Sequence, residues 1–127
     1  MAPTYTPNPK HRNWTFDKSQ WQITSIEEEN CFFDAVKNNW YTSSLAWGIY
    51  RPQGHLEFLG VGRDHTSPVF IAKFLGDRAN DWHGFPIDHR KDERDIPIPR
   101  IVDDWMKMKL LTPAKARKII KSLPCRF

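Results

Sequence analysis

His55, Glu57, Arg63, His65, Lys73 and His83 fall in one central stretch of the chain, and they are the residue types that metal-independent RNA cleavage requires. That reaction needs a base for the 2′-hydroxyl proton, an acid for the leaving oxygen and a cation for the phosphorane. His55 or Glu57 could act as the base, His65 or His83 as the acid, and Arg63 or Lys73 as the cation. On a strand, alternate residues point the same way, so His55, Glu57 and Leu59 would share one face. Polar residues at that spacing are also what any half-exposed sheet displays. A metal-independent endoribonuclease or toxin-like RNase is therefore the enzymatic alternative and not the leading expectation.

The second group of residues is cationic. From Trp105 to Phe127 the chain carries Lys107, Lys109, Lys115, Arg117, Lys118, Lys121 and Arg126 and no acidic residue. The formal net charge is +4, while residues 1 to 104 hold 12 basic and 15 acidic residues, a net of −3. A mildly acidic body with a basic end is the footprint expected of a phosphate-binding element. The last helical segment has no Asn or Gln, the usual adenine readers, so the contacts expected are sequence-nonspecific ones to phosphate. The leading expectation is a small non-enzymatic binding protein that meets nucleic acid through basic C-terminal helices. An acidic protein partner would fit the same charge, as would a protein-binding inhibitor or immunity-type module. The solvated face of a packing hairpin would look alike.

No metal or cofactor is called for. Asp81, His83, Asp88 and His89 lie close in sequence but lack the regular ligand spacing of a specific metal motif. Cys31 and Cys125 form no CxxC pair, and the opening residues lack the apolar core of a signal peptide, so two free thiols and a cytoplasmic location are expected.

These residues need elements to position them. Residues 1–14, with three prolines, read as an extended arm. Residues 25–40 read as a helix: Ser25 and Glu28 have capping-box spacing, and Phe32, Phe33, Val36 and Trp40 recur at helical intervals. Residues 45–86 alternate between strand-like runs and turn residues such as Pro52 and Gly54, which predicts an antiparallel meander of three or four strands. Its "PVFIA" run predicts a central strand covered on both faces. The meander's aromatics are expected to pack a core; the alternative is a base-stacking platform, for which an exposed Trp82 is the first candidate, with Gly84 leaving room for a partner's backbone. Residues 99–123 predict a helical hairpin resembling a helix-turn-helix, in which Thr112 and Pro113 start the last helix and Ala116, Ile119, Ile120 and Leu123 form its apolar stripe. The fold expected is thus a single α+β domain: an N-terminal helix, an antiparallel meander and a C-terminal helical pair.

Overall fold

The computed structural model describes residues 2 to 123. In chain order the elements are β1 (Thr4–Tyr5), β2 (Gln20–Trp21), α1 (Ser25–Lys37), β3 (Leu45–Ile49), β4 (Gly60–Val61), β5 (Pro68–Val69), β6 (Ile71–Gly76), β7 (Asp81–Ile87), α2 (Pro99–Lys107) and α3 (Pro113–Ile120). Two 3₁₀ turns, Pro9–His11 and Glu93–Asp95, complete the order.

The fold is mixed α+β, but the architecture corrects the expected one in three respects. The sheet β1-β7-β6-β3 is mixed, because β1 pairs parallel with β7 while β7, β6 and β3 pair antiparallel. The arm thus supplies a strand. A parallel pair needs a long connection, and β1 and β7 are separated by most of the domain, so the requirement is met. The first helix is not the N-terminal element either, since two strands and a 3₁₀ turn precede it. Finally, residues 45–86 are not one meander. β4 and β5 leave the main sheet and join β2 in a second, three-stranded antiparallel sheet. Only the β6–β7 hairpin and its pairing with β3 survive from the expected meander. Beyond β3, the two runs flanking Pro52 and Gly54 touch through a single bridge between Tyr50 and Glu57.

β6 is central, lying between β3 and β7, but the "PVFIA" run expected to form one central strand is split: Ile71–Ala72 opens β6, while Pro68–Val69 is β5, at the edge of the second sheet. Alternation along β3, β6 and β7 divides their residues between two cores. Ala46, Ala72, Phe74 and Trp82 pack with Cys31 and Phe32 of α1. Trp47, Ile49, Ile71 and Ile87 pack with Ile101, Val102, Trp105, Ala116 and Ile119 of the C-terminal helices and with Leu111 of the turn between them. Gly84 is buried, and a Cβ built there would lie 2.1 Å from Phe74 Cδ1. Trp82 is likewise buried, with its indole N–H donating to Asn80 Oδ1 at 2.7 Å. The close approach that Gly84 permits is therefore that of Phe74 and not of a partner.

The start of α1 is one residue earlier than its spacing suggests. Thr24 is the cap: its hydroxyl accepts from the Glu27 N–H, and Glu27 accepts from the Thr24 N–H. Both T-x-x-E and S-x-x-E registers exist in "TSIEE". The Thr24 register leaves Glu28 free to enter the interior, where Arg12 and Tyr5 meet it.

All three α-helices end without glycine. At each end the residue after the C-cap is left-handed (Asn39 φ 61°, Lys109 φ 62°, Ser122 φ 59°). The following N–H reaches back to the helix in every case: Trp40 to Ala35 O, Leu110 to Trp105 O and Leu123 to Lys118 O. This is the Schellman arrangement, which satisfies carbonyls the helix would leave open.

Candidate functional site

The C-terminal hairpin places the basic residues. Thr112 caps α3, accepting from the Lys115 N–H at 3.2 Å, and Pro113 occupies its first position. Ala116 and Ile119 are buried against the core. Ile120 and Leu123 are about half exposed, so the apolar stripe is narrower than expected. At 100° per residue, Arg117 and Lys121 fall on the side opposite Ile119, with Lys118 beside them. All three are exposed, as is Lys109.

A smaller share of them is ion-paired than in the body. Among the described residues, six of the eleven lysines and arginines before residue 96 are paired with carboxylates (Arg12–Glu28, Arg51–Asp34, Arg63–Asp17, Lys73–Asp95, Arg90–Asp88 and Arg94–Asp92), while Lys10, Lys18, Lys37, Arg78 and Lys91 are not. In the C-terminal hairpin there is one, Lys107 to Asp103 at 3.1 Å, exposed on both sides. Lys109, Arg117, Lys118 and Lys121 have no carboxylate within 4 Å among the described residues. Arg126 lies outside the described residues. No Asn or Gln stands on α3, and the left-handed residue that ends α2 is Lys109, not a glycine.

The sheet residues do not assemble as one constellation. His55 and Glu57 share a hollow with Tyr50, Leu56, Phe58 and Phe70. Arg63 lines a different cavity and is loosely paired with Asp17 at 3.7 Å. His65 is left-handed (φ 61°), and its Nε2–H donates to the Lys18 carbonyl at 2.8 Å. Lys73 is buried, with its ammonium donating to the Arg94 carbonyl at 2.8 Å and pairing with Asp95 at 3.2 Å. That ammonium holds the 3₁₀ turn over the sheet. His83 stands on β7 beside Trp82, in register with Leu75.

Asp81 accepts from the hydroxyls of Thr4 and Thr6, Asp88 is paired with Arg90, and His89 donates from Nε2 to the Leu123 carbonyl at 2.7 Å. Among the described residues no three His, Cys, Asp or Glu side chains converge to hold a metal ion. Cys31 is buried, and burial, with nearby carboxylates, pushes its thiol up to about 12, out of the range of a reactive thiolate.

One residue that sequence reasoning passed over is His11. It belongs to the arm, and the Asn8 cap with the 3₁₀ turn at Pro9–His11 directs it inward, where it is nine-tenths buried. Its ring stacks on Phe85 with centroids 5.2 Å apart and planes 19° from parallel. A single histidine among prolines carries no periodic signal, so only the folded arm reveals it.

A comparison of the chain with protein families, curated proteins and solved structures finds no match.

Proposed function

We propose that this protein binds a polyanion, nucleic acid first, through the outward face of α3 and the turn before it. The observation that carries the reading is the clustering of exposed, unpaired cations. Lys109, Arg117, Lys118 and Lys121 stand exposed with no carboxylate within 4 Å among the described residues, in a stretch where the sequence has no acidic residue after Asp104. Cations left unpaired on one short surface attract phosphate oxygens and release the counterions condensed on the nucleic acid. α3 spans two turns and carries no amide side chain, so its contacts suit the backbone and not the bases.

The test is fluorescence anisotropy of the full chain with labelled single-stranded RNA and duplex DNA at two salt concentrations. Reversal of Arg117, Lys118 and Lys121 to Glu is expected to abolish binding at moderate salt. Single neutralisations should each reduce the magnitude of the logarithmic salt slope by about 0.7–0.9 for every phosphate no longer neutralised. Equal affinity and slope in the triple variant would overturn the reading. Stable capture of the wild-type chain by an acidic protein, with no nucleic-acid binding at physiological salt, would replace nucleic acid with a protein partner.

A further inference from the structure

Beside the C-terminal end of β7, beyond its pairing with β1, lies a cavity of about 280 Å³, separate from the basic face of α3. Phe85, Pro86 and Ile87 form its apolar wall, and His11, Lys18 and Lys91 contribute polar groups. The size is at the lower end for small-molecule sites, and the mixture of an apolar wall with a few polar groups is typical of them.

His11 supplies a directed acceptor. Its Nδ1 lies 2.7 Å from the Ser19 carbonyl oxygen, which can only accept, so Nδ1 carries the proton and Nε2 the lone pair. Nε2 has no hydrogen-bond partner among the described residues. The only fully enclosed side-chain nitrogens or oxygens lacking a partner among those residues are the indole nitrogens of Trp40 and Trp105. Nε2 is therefore open, and the ring that carries it lines the cavity. Burial holds His11 below the ordinary histidine value, against the bond to Ser19, so the ring stays neutral and accepting at pH 7.

The charge around the cavity is not balanced. Four carboxylates line it, and each has its own cation: Asp17 with Arg63, Asp88 with Arg90, Asp92 with Arg94 and Asp95 with Lys73. Lys18 and Lys91 have no carboxylate within 4 Å among the described residues. Two free ammonium groups thus flank an apolar wall and a buried acceptor.

Asp17, which lines the cavity, is left-handed (φ 59°), as are Trp14 (φ 60°) and His65 (φ 61°), which do not line it. Trp14 and His65 meet edge to face at 5.1 Å, and His65 anchors the Lys18 carbonyl.

From this arrangement we propose that the cavity binds a small organic anion, a phosphate or carboxylate bearing a hydroxyl group, with the anion at Lys18 and Lys91 and the hydroxyl donating to His11 Nε2. The experiment follows the imidazole resonances of His11 in the full chain while ribose 5-phosphate, malate or ribose is added. Either anion should move the His11 Nε2 and Cε1–H resonances, and ribose should not. Replacing both exposed lysines (Lys18→Gln with Lys91→Gln) should weaken the anion at least tenfold without changing the circular dichroism. A response to ribose 5-phosphate alone identifies a phosphate ligand, and a response to malate alone a carboxylate. The proposal is overturned if neither anion moves the His11 resonances at millimolar concentration, or if the double variant binds as tightly as the parent. Because α3 is untouched, failure here leaves the polyanion reading standing, and the reverse also holds.

Discussion

Arg12 and Glu28 join the N-terminal arm to the first helix: Arg12 Nε and Nη2 donate to Glu28 Oε1 at 3.0 and 2.7 Å. Glu28 is wholly buried, and Tyr5 donates its hydroxyl to the other carboxylate oxygen. Arg12 Nη1 also donates to the Ile23 carbonyl at 2.9 Å, so a single guanidinium closes the arm, the second strand's exit and the helix into one unit. Arg12→Met removes these donors and leaves a buried carboxylate with the Tyr5 hydroxyl alone. The expected loss is about 3 kcal/mol, because breaking a buried pair costs more than the pair contributes. Urea unfolding should show a lower midpoint at an unchanged slope. The double variant Arg12→Met/Glu28→Leu should recover part of the loss, and a double-mutant cycle measures how much.

Two buried histidines make stability rise with pH below neutrality. Burial lowers both His11 and His89 from 6.5, although each bonds a carbonyl that acts the other way. Lys18 and His83 add to the lowering at His11; at His89, Asp88 opposes it and Arg90 reinforces it. A histidine depressed in the folded state binds fewer protons there than in the unfolded chain, so stability rises with pH through this range. The contribution is fully present above about 6.5, the unfolded value, and is lost as pH falls through the folded ones. Thermal unfolding between pH 4 and 7.5 should show this slope, and His89→Phe should flatten it. A slope identical to that of the parent would show that His89 carries none of it.

Gly84 has no room for a side chain. An added Cβ would lie 2.1 and 2.6 Å from two carbons of the Phe74 ring and 3.0 Å from the Lys73 carbonyl oxygen. Phe74 is fully buried in the core beneath α1 and cannot yield outward. Gly84→Ala is expected to destabilise by about 2–3 kcal/mol through overpacking. Combining it with Phe74→Leu, which removes the clashing ring, should give less than the sum of the two losses.

Lys109 predicts a change of the opposite sign. Its left-handed backbone ends α2 in the position where glycine is usual. Lys109→Gly is expected to raise stability by about 0.5–1 kcal/mol, since the left-handed penalty of a residue with a Cβ is removed. The same variant should weaken nucleic-acid binding slightly and uniformly across sequences, because the proposed face then carries one cation fewer. Chemical denaturation and anisotropy on one preparation separate the two effects.

Local patterns wrote much of this fold into the chain. The apolar spacing of Phe32 and Val36 marks α1, although the helix stops at Lys37, short of Trp40, and Thr112 and Pro113 mark the start of α3; of the apolar run Pro68–Ala72, only Ile71–Ala72 lies in a central strand. The basic C-terminal segment is equally plain in the sequence, because charge needs no contact to be counted. Which of its cations are free is not. That depends on where carboxylates lie in space, and only the structure shows Asp103 beside Lys107 and none beside Arg117, Lys118 or Lys121 among the described residues.

Strand partnership likewise could not be read locally. Thr4 and Tyr5 carry no strand signal, yet they pair with Asp81 and Trp82 because the folded chain brings the arm alongside the edge of β7. Gly60–Val61 continues an apparent hairpin in sequence but joins β2, because Gly60 alone lets the Gln20 backbone approach, with its carbonyl 2.3 Å from where a Cβ would stand. The inward turn of His11 and its stacking on Phe85 have the same origin. Helix starts, turn residues and charge runs are decided within a few residues and are visible in sequence. Pairing, burial of single polar groups and the opening of a cavity are decided by segments that meet only when the whole chain has folded.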